Sequence, residues 1–293
     1  GVLEVETPIV STAATTDPHL SSFSTRYQQQ NLFLNTSPEY YMKRVLAAHG
    51  DASYQVCKSF RDVELGPMHN PEVTLLEWYR PGFDMFELMD ELSELLRVLA
   101  SSHGLERAPV NSISYADAFL RVAGLDPHAT SSEQCRDCAR SHGIDLPVGL
   151  DDDVDAWLDW LLTQLIIPSF REHGFTYLYA YPRSQASLAK LYQDARGNTV
   201  AARFELFYGE TELANGFDEL LDASEQRRRF EDENRVRQTA GLSESIIDER
   251  LLQALEHGLP TCSGVALGLD RVLMLLLDVR SIDQVISFPF SGI

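Results

Sequence analysis

Basic residues are scarce in this chain. Lysine and arginine together number 24 against 44 aspartates and glutamates, a formal charge of −20 over 293 residues. That average field repels a phosphate backbone and argues against nonspecific nucleic-acid binding. Cysteine is scarce too: Cys57, Cys135, Cys138 and Cys262 are too few and too scattered for a disulfide framework. Cys135 and Cys138 form one C-x-x-C without the further ligands a zinc site needs, and they read as two thiols on a helix. No apolar run approaches the roughly 20 residues that span a bilayer. The opening Gly1-Val2-Leu3-Glu4-Val5-Glu6 alternates like a strand and is unlike a signal peptide. A cytoplasmic protein with no membrane partner is therefore expected. Also missing are G-x-x-x-x-G-K-[ST] and a strand-borne G-x-G-x-x-G, so a bound nucleotide would use neither phosphate loop.

What is present suits a globular catalytic domain, with 44% hydrophobic and 23% charged residues. Strand patterns fall at 2–10, 32–35, 54–61 and 72–80, then return at 176–181, 200–208 and 265–267. Helices are expected from Asp84, whose stripe is Met85, Leu88, Leu92, Leu95, Leu96 and Leu99, ending near Gly104, and at 223–239, 246–257 and 270–277. Residues 105–175 carry little β pattern, with a capping start at Ser114-x-x-Asp117, and read as a helical insertion between two halves of one sheet. The strands cluster in hairpin-like pairs without regular βαβ alternation, which predicts an α+β fold with an antiparallel sheet flanked by helices, as one domain over 1–293.

Three segments could carry chemistry. In the first, Phe60-Arg61 through Tyr79, period-two alternation puts Val73, Leu75, Glu77 and Tyr79 on one strand face. A carboxylate on that apolar face costs several kcal/mol, roughly, unless paired; a bound ammonium or an internal arginine would satisfy it. Arg61 ends the preceding strand, where its guanidinium suits a phosphate, a carboxylate or a surface ion pair. In the second, Glu212, Asn215 and Glu219 stand at i, i+3 and i+7. A helix would align them, whereas Asn215-Gly216 suggests a turn. Their oxygens suit Mg²⁺ held with phosphates, an amine, or water on an acidic turn. In the third, Ser263-Gly264-Val265-Ala266-Leu267-Gly268 leads into a helix whose first turn holds Arg271. A cation there opposes the helix dipole by roughly 0.3–1 kcal/mol; Asp270 can offset it, or a nearby anion can use it.

Together these segments resemble the signature motifs of class II aminoacyl-tRNA synthetases in their lysine form. Residues 1–8 (GVLEVETP) resemble the end of motif 1, which builds the homodimer, 60–79 resemble motif 2, and Gly268-Leu269-Asp270-Arg271 resembles motif 3. Thr36-Ser37-Pro38-Glu39 and residues 212–219 match lysine-pocket segments. Two features are similar to the bacterial lysyl-tRNA synthetase paralogues that attach (R)-β-lysine to a lysine of elongation factor P. One is the lack of a preceding anticodon-binding barrel, and the other is Ala266 where lysyl-tRNA synthetases place Gly. The resemblance implies ATP and Mg²⁺ as cofactors, lysine or (R)-β-lysine as substrate, elongation factor P as acceptor, and no tRNA partner. It also implies that Arg61 and Arg271 act on the phosphates. Asp62, Val63, His69, Asn70, Glu212, Leu213 and Gly268 join them around ATP. Ser37, Pro38, Glu39, Glu77, Tyr79, Asn215 and Glu219 would bind the amino acid, and Glu212 and Glu219 the metal. The chain departs from the family pattern at Val63, in place of the Glu of Arg-x-Glu, and at Val73, in place of an adenine-stacking Phe.

Overall fold

The computed structural model describes residues 1–62, 65–103, 108–147, 149–150 and 152–292. Val63 and the expected helix stop at Gly104 lie outside the described residues. The chain forms two compact units, residues 1–88 with 218–293, and residues 89–217.

In the first unit the central sheet is a hairpin with two added strands. β1 (Leu3–Glu4) runs parallel to β5 (Ser53–Phe60), which pairs antiparallel with β6 (Glu72–Pro81), and β6 pairs antiparallel with β12 (Cys262–Gly268). A smaller sheet holds β2 (Val10–Ser11), β4 (Gln30–Leu34) and β3 (Ser24–Tyr27), in that order. The alternating run at 2–10 is thus divided between two sheets. Helices α1 (Glu39–His49), α6 (Ala223–Thr239), α7 (Glu249–Gly258) and α8 (Leu269–Leu276) belong to this unit. The basic run on α6 is paired within the fold: Arg227 with Glu249, Arg228 with Glu225 and Asp232, and Arg229 with Glu225. The expected helix stop at Gly258 holds, with φ of 121°.

Helix α2 (Met85–Ala100) starts as expected: the Asp84 carboxylate accepts from the Phe86 and Glu87 amides at 2.9 Å each. Leu88, Leu92 and Leu96 of its stripe are buried.

The second unit carries strands in the order β11 (Thr211–Asp218, its last residue in the first unit), β10 (Thr199–Tyr208), β8 (Phe175–Pro182), β7 (Val110–Ser114), with β9 (Leu191–Gln193) also on β10. β7 corrects the expectation for 105–175. Its residues are exposed or half-buried, so it shows no alternation, yet it pairs parallel to β8 as an edge strand. The remainder of that stretch is helical: α3 (Tyr115–Val122), α4 (Ser132–Ser141) and α5 (Val154–Leu161), the last running on through a π turn, Leu162–Ile166. Ser114 caps α3 by accepting from Asp117 N at 3.1 Å. Tyr115, Phe119, Trp157, Leu161 and Phe170 pack with Leu178 and Phe207 in one core cluster, which also takes in Cys135 and Cys138. Burial raises both thiols above their ordinary pKa, the setting of inert packing residues.

Candidate active site

Strand alternation builds the first half of the site. Leu75, Glu77 and Tyr79 share the buried face of β6, and Glu77 and Tyr79 are each 2% exposed. The β12 residues opposite them are Gly268, Ala266 and Gly264 in turn. The small residues of this strand leave the space beside β6 to the side chains of Tyr79 and Glu219. A Cβ on Gly264 would come within 2.4 Å of Tyr79 Cε1 and 2.6 Å of Glu219 Oε1, so the missing side chain is what admits both groups.

Glu219 follows β11 and is tied to β12 by its amide, which donates to Cys262 O at 3.0 Å. Helix α1 brings Glu39 and, one turn on, Lys43. The Lys43 ammonium donates to Glu39 Oε1 at 2.7 Å and ion-pairs with Glu219 Oε2 at 2.5 Å. Tyr79 donates its hydroxyl to Glu77 Oε1 at 2.7 Å. Of the two partners the sequence allowed for Glu77, an internal arginine is replaced by this phenol. Glu77 Oε2 and Glu219 Oε1 are buried without a hydrogen-bond partner among the described residues.

The electrostatics follow from that inventory. Burial, and then the Glu39 carboxylate, push Glu77 up to about 8. Burial raises Glu219 from 4.5 to about 8 as well, outweighing the lowering by Lys43, with Glu39 adding to the rise. Burial and the three carboxylates hold the Tyr79 phenol well above its ordinary range. When Glu39, Glu77 and Glu219 are all ionised, Lys43 balances only one of them. Buried charge left in that state is costly, and ammonium groups would relieve it.

A second group lies around the β5–β6 loop. Arg61 directly follows β5; its amide donates to Pro71 O at 2.8 Å and its Nε to Thr36 O at 3.5 Å. Arg271 reaches from the first turn of α8 to Met68 O at 3.5 Å and to within 3.4 Å of His69 Nε2. Burial, Arg271 and Arg61, in that order, lower the His69 pKa, which keeps the imidazole neutral at neutral pH. Asp270 does not cap α8; its carboxylate accepts from Thr74 N at 2.6 Å and pins the helix to β6. Gly268 ends β12 and stands at the N-cap of α8. Asn70 is 5% exposed and uses both ends of its amide on backbone, donating to Glu72 O at 2.6 Å and accepting from Phe290 N at 3.0 Å. It therefore shapes the loop. Asp62 is exposed, with its amide on Ser21 O at 2.9 Å. Ser37 accepts from Glu39 N at 3.4 Å, and Pro38 immediately precedes α1.

Glu212, Leu213 and Asn215 belong to the second unit and correct the sequence reading, because they lie on a strand and form neither helix nor turn. Glu212 stands opposite Phe207 and Asn215 opposite Glu205, with a register break between Leu206 and Phe207 that leaves Leu213 as the extra residue. Cross-strand partners share a face, and Glu205 and Phe207 are two apart. The bulge therefore turns an i, i+3 spacing into a shared face. On that face Arg203 donates to Glu205 Oε1 at 2.5 Å, and Tyr181 donates to Glu205 Oε2 at 2.7 Å. Burial raises Glu205, Arg203 lowers it, and Glu212 raises it. Asn215 Oδ1 is buried without a hydrogen-bond partner among the described residues. No group of three or more His, Cys, Asp or Glu among the described residues is placed to hold a metal.

Residues 1–292 match the family described as tRNA synthetases class II (D, K and N). The chain belongs to that family. Among curated proteins it is similar to the elongation factor P–(R)-β-lysine ligases of Klebsiella pneumoniae (strain 342) and Salmonella typhi. Each is 47% identical over 98% of this chain and 88% of its own length. The ligase of that name from Salmonella paratyphi B is 46% identical over the same shares. As a class II family member the chain is an ATP-dependent amino-acid ligase with an α+β fold. The motif segments named from the sequence are the ones that carry Arg61, Glu77, Tyr79 and Arg271. Two contributors escaped the sequence reading. Lys43 left a signal in the Glu39-x-x-x-Lys43 spacing of an ion pair on one helix face. Gly264 left one in the alternation of small residues across β12.

Proposed function

We propose that this chain activates (R)-β-lysine, or lysine, as its adenylate and transfers it to a lysine side chain of elongation factor P. The observation that carries this reading is the acidic pocket: Glu39, Glu77 and Glu219 around Lys43, two carboxylate oxygens without partners, and Tyr79 beside them. Such a pocket suits a diamino acid and is wrong for the aspartate and asparagine of the family's other branches. The names of the similar ligases point to the same substrate and acceptor.

In the mechanism the protein supplies no nucleophile. Tyr79, Glu77 and Glu219 grip the far ammonium, while Glu39, with Ser37 and Pro38 before it, takes the amino group near the reacting acid. One carboxylate oxygen attacks the α-phosphorus of ATP, a P–O bond forms, and pyrophosphate leaves. Arg61 stabilises charge on the α-phosphate and Arg271 on the γ-phosphate; both work by position and need no proton transfer. Asp62, His69, Asn70 and Gly268 frame the nucleotide, and the neutral His69 adds no repulsive charge beside Arg61 and Arg271. Mg²⁺ would supply charge neutralisation for the phosphates. One or two carboxylates suffice for such an ion. Glu212 is its ligand in this reading, because the Lys43 ion pair commits Glu219 to the amino-acid pocket. In the second half-reaction a neutral amine of the acceptor lysine attacks the adenylate carbonyl, a C–N bond forms, and AMP leaves with the C–O electron pair. A homodimer would form through the motif 1 segment, where Leu3 is exposed, with the exposed Ile9 and Val10 just beyond it. The charge of −20 supports an enzyme that does not use tRNA.

ATP–pyrophosphate exchange across lysine isomers tests the reading, followed by transfer of labelled amino acid to elongation factor P. Exchange with (R)-β-lysine above α-lysine, and label on the protein, is the expected result. Efficient charging of lysine tRNA without transfer to protein would instead make the chain a lysyl-tRNA synthetase core.

A further inference from the structure

Lys43 is 2% exposed in the interior of the pocket, and no step of the mechanism uses it. Lysine is almost never buried unless paired. A lysine needed only to anchor α1 would require one carboxylate. This one spans two, Glu39 on its own helix and Glu219 from the sheet side, while Glu77 stands in the same field. We infer that Lys43 is a specificity-determining residue: a resident ammonium that sets the charge deficit of the pocket at two, so that a ligand with two ammonium groups fills it. This rests on the proposed amino-acid site.

Without Lys43, three carboxylates would face a diamino acid that can neutralise two, and the third would have to keep a proton. With it, an amino acid carrying a single ammonium leaves one carboxylate unbalanced in a buried site, which is a repulsive element as well as a lost contact. Lys43 also holds one oxygen each of Glu39 and Glu219, leaving Glu219 Oε1 beside the ring of Tyr79 and the bare backbone of Gly264. The groups that face this cluster are Glu39 and Lys43 from α1, Glu77 and Tyr79 from β6, Asp218 and Glu219 at the end of β11, and Cys57 from β5. Of these, Asp218 accepts the Ser263 hydroxyl, and burial pushes the Cys57 thiol up to about 11, so it stays neutral.

The test is the pH profile of KM for the diamino acid in pyrophosphate exchange, from about pH 6 to about 9.5, for the unmodified protein and three variants. Lys43→Met removes a positive charge and is expected to move the midpoint up by about one pH unit. Glu39→Gln removes a negative charge from the same cluster and is expected to move it down. Lys43→Arg keeps the charge and is expected to keep the midpoint. KM for ATP should stay within about twofold in all of them, since none touches the nucleotide. An equal rise in KM at every pH, with the midpoint fixed in both Lys43→Met and Glu39→Gln, would mark Lys43 as packing only and overturn the inference. If Lys43→Met does not fold, the opposed behaviour of Glu39→Gln and Lys43→Arg still decides. Calorimetric binding of lysine without nucleotide reads the same midpoints independently of activation. A protein that binds lysine with these shifts but exchanges no pyrophosphate refutes the proposed reaction and leaves the role of Lys43 standing.

Discussion

At Gly264 a single methyl group would collide with both Tyr79 and Glu219, and neither can retreat easily. Tyr79 is held by Glu77 and Glu219 by Lys43, and all four side chains are buried. Gly264→Ala is therefore expected to raise KM for the amino acid by roughly tenfold to a hundredfold and to cost about 1–3 kcal/mol of stability. KM for ATP should barely change; steady-state kinetics with each substrate varied in turn checks this, and an unchanged amino-acid KM would mean the pocket lies elsewhere. The buried carboxylates make a second prediction, with a definite sign. Glu77 and Glu219 sit near 8 in the folded chain against an ordinary 4.5. Between those values the folded state holds more protons than the unfolded one, so their contribution to stability is full below about pH 4.5 and is lost as pH rises through about 8. The ligand-free protein should lose thermal stability from about pH 5 to about 8, by up to about 1.4 kcal/mol per pH unit for each group. A saturating diamino acid should reduce the loss, because its ammonium groups favour the ionised carboxylates. A flat stability profile without ligand would contradict the burial of those charges. At this scale the sequence was legible where period-two alternation applied, as at Glu77 and Tyr79. At Lys43 it showed only a Glu39-x-x-x-Lys43 pair, which reads as surface until tertiary structure brings Glu219 to it.

Helix ends with side-chain caps were readable one residue at a time, and Asp84 and Ser114 do what their sequence context predicts. A strand whose residues do not alternate in burial leaves no period-two signal, and β7 within the stretch expected to be helical is such a strand. β11 is the instructive case. Its Glu212 and Asn215 are three apart, a spacing that argues for a helix, yet a bulge at Leu213 gives the same convergence on a strand. That correction carries a prediction of its own. Inserting one residue between Leu206 and Phe207 of β10 would give Leu213 a partner, remove the bulge and send Glu212 and Asn215 to opposite faces. Pyrophosphate exchange should fall by about a hundredfold or more, with the loss in kcat as well as in KM for ATP, since a misdirected group of this kind costs several kcal/mol of transition-state stabilisation, roughly. Retained exchange in a folded insertion variant would show that the shared face has no part in catalysis.

Charge is the property that belongs to the molecule as a whole. The excess of 20 negative charges is not offset by a basic surface at the one place where arginines gather. Arg227, Arg228, Arg229 and Arg235 of α6 pair with Glu249, Glu225 and Asp232. Arg237 spends its guanidinium on backbone carbonyls, at 2.9 Å from Ser243 O and 3.0 Å from Asp17 O. Nucleic-acid affinity grows with the number of phosphates a surface can neutralise, and arginines already matched by carboxylates release few counterions. The interior of the pocket obeys the same accounting with the opposite outcome, because there the unmatched charge is negative and the ligand is the cation. A large molar excess of bulk tRNA should consequently leave the rate of transfer to elongation factor P within about twofold, at both about 50 mM and about 200 mM salt. Inhibition at low salt that disappears at high salt would show that a local basic face outweighs the average field, and the tRNA-charging reading would then regain its footing.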